Sequence, residues 1–263
     1  MKIVVLVKQV PDSGSERNLR ADDATVDRAS ASNVINEMDE YAIEEALKIA
    51  EANGGSDVTL LTMGPDSATE AIRKALSMGP DAAVHVVDDA LHGSCALGTS
   101  KVLAAALKTL EFDLVICGAE STDGRTQLMP HMLAERLGIP ALTGARKLTV
   151  DAAKGVVLTA ERQTDEGYEV VQAAGPAIVS VWDTINEPRY PSFKGIMAAK
   201  KKPVTTLSLA DLGIGADEVG LAGATSKVLS STKRPARTGG TKVEDSGNGG
   251  VDLVTYLTAE KFV

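Results

Sequence analysis

The sequence predicts an α/β domain, a mostly parallel sheet with flanking helices, followed by an extended C-terminal arm. Three observations carry this. Short continuous apolar runs recur at Ile3–Val7, Val58–Met63, Ala82–Val87 and Leu114–Cys117; runs of that kind suit parallel strands buried on both faces. Stretches with apolar residues at helical spacing separate them, so the pattern reads as successive βαβ units. Beyond Leu229 the composition shifts to Gly, Ser, Thr, Lys and Arg, which cannot bury enough apolar surface to fold alone. The predicted organisation is therefore one domain over residues 1–229 and an arm over residues 230–263.

The elements follow in order. Ile3–Val7 is the first strand. Pro11-Asp12-Ser13-Gly14-Ser15 breaks it, and the polar stretch to about Ser32 predicts a hairpin-like excursion. Asn36, with Asp39 three residues on, resembles a helix start. Ala42, Ile43, Ala46, Leu47, Ile49 and Ala50 recur at helical spacing until Asn53-Gly54-Gly55 stops them. After the second strand, Gly64-Pro65 turns the chain, and Ser67 with Glu70 predicts a capping box. The helix that follows ends at Gly79. A third strand leads to a helix from about Ser94 to Leu110, and a fourth ends at Gly118. The next helix lies near Leu128–Leu137, stopped by Gly138 and Pro140. After Ala141 the pattern changes to β-like runs without helices between them, among them Val156–Ala160 and Val170–Ala173 around a turn at Asp165, Glu166 and Gly167. The last strand is expected near Ile178–Trp182.

Composition excludes several function classes. Of 263 residues 44% are hydrophobic and only 3% aromatic, so the core is built from Val, Leu, Ile and Ala. A net charge of −9 argues against nucleic-acid binding. No apolar run is long enough to span a bilayer, and Met1-Lys2 leads straight into the first strand without a signal peptide. The two cysteines, Cys95 and Cys117, form neither a disulfide framework nor a metal pattern and point to a reducing, cytoplasmic setting. His85, His92 and His131 lack metal-ligand spacing with one another or with a cysteine. Gly93–Ser100 approaches a phosphate-loop motif, but Thr99 stands where the lysine would be.

Ligands of open α/β sheets sit at the carboxyl ends of strands. The loop after the fourth strand, Gly118-Ala119-Glu120-Ser121-Thr122-Asp123-Gly124-Arg125-Thr126-Gln127, is the most informative such end. Its glycines permit close backbone approach, its hydroxyls supply donors, and Arg125 lies just before a helix N-terminus, which favours anions. These residues suit a phosphate; they also suit a helix cap. A second candidate lies at 186–202, where Pro188 and Pro191 hold Phe193, Ile196 and Met197 in a stiff segment with basic flanks. That segment reads either as a docking device or as a surface loop folding its apolar residues back onto the domain. The polar arm ends in Val251, Leu253, Val254, Leu257 and Phe262. Such an end suits wrapping around a partner chain, where the alternative is a frayed terminus.

The spacing Ala-x-Arg-x-x-Asp-x-Gly-x-Glu-x-Val-x-x-x-x-Pro-x-Ile-Val-Ser from Ala160 to Ser180, with Asn186-Glu187-Pro188-Arg189-Tyr190 and Ile196-Met197…Lys200-Lys201-Lys202, resembles the electron transfer flavoprotein β subunits. The likeness covers nearly the whole chain. It implies a Rossmann-like, adenine-nucleotide-binding fold and an electron carrier rather than an enzyme. By position it implicates Leu6, Asn36, Met63 and Gly118–Thr126, including Ser121, Thr122, Asp123, Gly124 and Arg125, in holding an AMP. It also implies an α subunit that supplies most of one FAD, acyl-CoA or other flavin dehydrogenases as electron donors and a quinone oxidoreductase as acceptor. Phe193 stands where the family often has Leu as an anchor, and Gln127-Leu128 stand where it often has Gly-Gln. Glu161 and Arg162 read as a site only through this likeness; otherwise they are an ion pair on a strand edge. Two alternatives remain: an electron-splitting relative with FAD in place of AMP, or a stand-alone nucleotide-binding regulator of the universal-stress type.

Overall fold

The computed structural model describes all residues of the chain except Lys154, Arg237, Thr238 and Thr241. Three of these lie in the polar part of the expected arm, so that reading is outside the described residues at those positions. The chain divides into two units, residues 1–227 and 228–263.

In the first unit the apolar runs become strands. β1 (Lys2–Leu6) is followed by the short β2 (Gln9–Pro11) and β3 (Asn33–Ile35), then α1 (Glu37–Ala52), β4 (Asp57–Met63), α2 (Thr69–Met78) and β5 (Ala82–Val86). α3 (Ala96–Lys108), β6 (Leu114–Gly118) and α4 (Met129–Leu137) complete the alternating part. The chain then runs through β7 (Ala141–Asp151), β8 (Val157–Thr164), β9 (Gly167–Ala174), β10 (Ala177–Val181), α5 (Phe193–Ala199) and β11 (Val204–Leu207). These form a nine-stranded sheet in the order β11-β5-β4-β1-β6-β10-β7-β8-β9. It is parallel from β11 to β7, and β8 and β9 add an antiparallel flap. β2 and β3 pair antiparallel as the base of the expected excursion.

The period of two along each buried strand explains the continuous apolar runs. Ile3, Val5 and Val7 face α1 and α2, with Ile43, Leu47, Ile72 and Leu76. Val4 and Leu6 face α3 and α4, with Val102, Leu107 and Leu133. Burying one such side chain stabilises by about 1.5–3 kcal/mol, so both faces of the central strands had to be apolar. α1 and α2 lie on one face and α3 on the other. The connection therefore reverses between β1 and β6, which is where an open α/β sheet leaves a crevice at its carboxyl edge.

Three expectations need correction. Ser67 and Glu70 form no capping box: a 3-10 turn, Asp66–Ala68, precedes α2, whose N-cap makes no side-chain hydrogen bond. The Ser67 hydroxyl donates instead to Gln9 Oε1 at 3.3 Å. β10 is not the last strand, because β11 adds to the far edge beside β5. The 186–202 segment is not all loop: Ser192 caps α5 by accepting from the Gly195 amide at 3.0 Å.

In the second unit α6 (Gly249–Ala259) carries the arm's apolar residues. Val251, Leu253, Val254 and Tyr256 on it, and Phe262 beyond it, are exposed.

Candidate functional site

The crevice is built from the ends of β1 and β6 and the start of α1. Asn36, buried just before α1, shapes the loop after β6. Its Nδ2 donates to the Glu120 carbonyl and to Asp39 Oδ1, each at 2.9 Å. Its Oδ1 accepts from the Thr122 amide at 3.0 Å. The template for the loop is thus a side chain more than eighty positions away in sequence. Asp39 accepts from the Lys8 amide at 2.8 Å. Burial pushes the Asp39 carboxyl up to about 7, against the hydrogen bonds from Asn36 and Lys8 that favour its charge.

Asp123 is the electrostatic centre of the loop. Its carboxylate is almost fully enclosed and pairs with Lys8 at 2.7 Å and with Arg28. Burial opposes its charge, but the two cations overcome that and hold it well below the usual carboxylate range. Lys8 also donates to Ser121 Oγ at 3.3 Å, and Arg17 donates to the Thr122 carbonyl at 2.8 Å. Lys8 and Arg28 thus meet at one carboxylate beside the crevice, with Asp39 also near Lys8. Gly124, Arg125 and Thr126 are exposed beyond it. Arg125 and Gln127 adopt left-handed backbone conformations, φ 49° and 55°, which non-glycine residues rarely hold without a reason.

The candidates separate into distinct roles. Leu6 is a core residue, and Met63 packs partly buried on the same side of the sheet. A Cβ at Gly118 would lie 2.5 Å from Met38 Cβ and 2.7 Å from Asp39 Oδ1, so its bareness admits the close approach of α1. Gly124 meets nothing closer than Ser121 Oγ at 3.4 Å. Lys8, Arg17, Arg28 and Asp39 were missed as site residues. Lys8 had a signal, since it directly follows the first strand at its carboxyl end. The two arginines had none, because their partners lie about a hundred positions away.

Around α5 the Asn-Glu-Pro-Arg-Tyr segment is clamped to α1. Asn186 donates to the Tyr41 carbonyl at 3.0 Å, and Arg189 pairs with the buried Glu44 at 2.7 Å and with Glu51 at 2.6 Å. α5 and α2 cap each other. Arg73 donates to the carbonyls of Ala199 and Lys202, and Lys202 donates to those of Leu76 and Gly79. Gly195 makes this approach possible, because a Cβ there would sit 2.5 Å from the Ser77 carbonyl oxygen. Of the basic run, Lys202 is therefore structural. Held on this frame, Phe193 is 80% exposed and Tyr190 95%, with Ile196 and Met197 about half exposed beside them. The reading in which Phe193 folds back into the domain is excluded.

Glu161 and Arg162 belong to ion pairs of the antiparallel flap. Arg146 donates to Glu161 at 2.6 Å, and Arg162 to Glu169 at 2.7 Å. Among the described residues no group of three or more His, Cys, Asp or Glu side chains is placed to hold a metal, and no helix is long and apolar enough to cross a membrane.

Comparison with known proteins agrees with this geometry. Residues 23–212 match the model of the electron transfer flavoprotein domain. The chain is 54% identical to the electron transfer flavoprotein subunit beta of Mycobacterium bovis, over 99% of each chain. It is 36% identical to the subunit of the same name from Megasphaera elsdenii, over the whole of both. It is 34% identical to the caffeyl-CoA reductase-Etf complex subunit CarD of Acetobacterium woodii, over 91% of this chain and 90% of the other. With a parallel sheet, a crevice at its switch point and a match over nearly its full length, the chain belongs to the electron transfer flavoprotein family, as a relative of its beta subunits.

Proposed function

We propose that the chain is the β subunit of a heterodimeric electron transfer flavoprotein that carries electrons from flavin dehydrogenases, such as acyl-CoA dehydrogenases, to a quinone oxidoreductase. The full-length similarity to beta subunits carries this reading. In it the α subunit supplies most of the FAD site, and bound flavin supplies the redox chemistry. This chain makes and breaks no bonds. It covers one side of the flavin cleft, presents α5 to electron donors and holds one AMP as a brace.

The crevice residues fit a nucleotide phosphate. Lys8 and Arg28 flank Asp123, Ser121 offers a hydroxyl, and the exposed Thr126 offers its amide, those of Gly124 and Arg125 being taken by Asp123 Oδ1 and the Ser121 carbonyl. Geometry of that kind favours a monoanion or dianion over a neutral ligand. Asn36, Asp39 and the Gly118 contact with α1 hold this frame rigid.

The test is to co-express the chain with its α subunit, denature the purified complex and separate the released nucleotides. The expected result is one AMP and one FAD per heterodimer. A second FAD in place of AMP would move the chain to the electron-splitting group. Absence of any nucleotide beyond the shared FAD would sink the AMP site. Failure of the complex to accept electrons from an acyl-CoA dehydrogenase would sink the assignment of that donor.

A further inference from the structure

The excursion between β2 and β3 does more than connect them. Between Asp12 and Val34 no side chain is buried, so polar tethers hold this stretch to the domain. It is a small hairpin, with a bridge between Leu19 and Val26 and a turn closed by the Arg20 amide donating to the Thr25 carbonyl at 2.8 Å. Its base is tied to the loop after β6, through Arg17 to the Thr122 carbonyl and Arg28 to Asp123. Its tip is tied to the segment after β5. There His92 Nε2 meets Asp23 Oδ2 at 2.6 Å, and Thr25 Oγ1 lies 3.4 Å from the same nitrogen. In the sheet, β4 and β1 lie between β5 and β6. A hairpin anchored beyond both flanking strands therefore spans the carboxyl ends of β4 and β1, the place assigned above to the nucleotide.

We infer that residues 12–32 form a lid over the nucleotide crevice, latched at its tip by the His92–Asp23 pair, and that opening this latch sets the rate at which nucleotide leaves. The inference rests on the nucleotide reading above. Its physical basis is that a segment with few buried apolar contacts and several exposed tethers opens locally at low cost while the core stays folded. The tethers are of unequal kind. Arg28 grips an enclosed carboxylate and acts as the hinge side, whereas the His92 side chain is 47% exposed and is the weaker end. Asp23 itself is held in shape by the Thr25 amide and hydroxyl, at 2.9 and 2.7 Å. The tip turn therefore arrives at His92 preformed.

The experiment uses the heterodimer loaded with radiolabelled AMP and chased with unlabelled AMP, alongside hydrogen exchange at the hairpin amides of Arg20 and Ala24. His92→Ala is expected to speed AMP release by up to about fivefold, the range a single side-chain hydrogen bond can command, and to speed exchange at both amides. Asp23→Asn should do at least the same, since it also weakens the Thr25 and Arg20 contacts of the tip, and the double variant should be no faster than Asp23→Asn alone, because the contact with His92 is then already lost. Faster exchange with unchanged AMP release would overturn the lid, since the hairpin would then open without gating the site. Unchanged exchange would overturn the latch. If the wild-type heterodimer retains no AMP at all, the nucleotide reading fails and takes the lid with it. The wild-type control thereby separates that failure from the other two.

Discussion

Asp39 titrates at about 7 in the folded chain because burial disfavours its charge, whereas its ordinary value is 3.8. The unfolded chain therefore carries almost no proton there above about pH 5, while the folded chain keeps one until about pH 7. A carboxyl with a raised native pKa contributes stability at acid pH that is lost as pH rises through the native value. Asp123 is silent in that window. Its native pKa is depressed by Lys8 and Arg28 against burial, so its stabilising effect is complete above about pH 5 and is lost only toward stronger acid. The expected outcome is a urea midpoint for wild type that falls between about pH 5 and 8, and a flatter profile for Asp39→Asn. Parallel profiles for the two proteins would mean that Asp39 is already charged at the acid end. None of this was legible locally. Asp39 reads as a first-turn acid of a helix, and its burial arises only when the end of β6 closes on α1.

At the scale of elements, Gly118 decides how closely α1 sits on β6. Gly118→Val puts carbon where Met38 and Asp39 already are, and overpacking of that kind costs about 1–3 kcal/mol. It should lower the melting temperature of the isolated chain before any question of nucleotide arises, which a thermal scan without ligand measures. α5 gives the opposite expectation. Phe193 is exposed, so Phe193→Ala should leave the melting temperature and flavin spectrum nearly unchanged. Electron transfer from an acyl-CoA dehydrogenase should fall about thirtyfold, the worth of a ~2 kcal/mol apolar anchor. Normal transfer by that variant would end the anchor idea. The strands buried on both faces were readable because their apolar runs have no other use. β11 was not readable. Val204-Thr205-Thr206-Leu207 has apolar residues only at its ends and follows a lysine run and Pro203, and what makes it a strand is the free edge of β5. α5 was hidden by Pro188 and Pro191, which do bar regular structure before Ser192 but not after it. In the site, the loop after β6 was visible from composition and position. The tethers Arg17 and Arg28 became visible only with the fold, because nothing near them in sequence marks their partners.

Across the whole molecule, both apolar clusters lie within the first unit. A chain ending at Lys227 should therefore fold with a nearly unchanged melting temperature, yet co-purify poorly with the α subunit if the arm wraps it. Full-strength co-purification of the truncated chain, with flavin retained, would show that the arm is dispensable. The sheet order has a further consequence during synthesis. β5 is complete once residue 86 has been made, but the strand that closes its outer edge, β11, pairs Val204 with Ala83, about 120 positions later, and such distant pairings form slowly. While the chain grows from its N-terminus, that edge stays open for nearly half of the synthesis, and open edges recruit foreign strands. Nascent chains stalled before residue 204 should therefore be the aggregation-prone species, because the few residues from Val204 to Leu207 replace the β5 edge with a short strand whose two threonines are exposed.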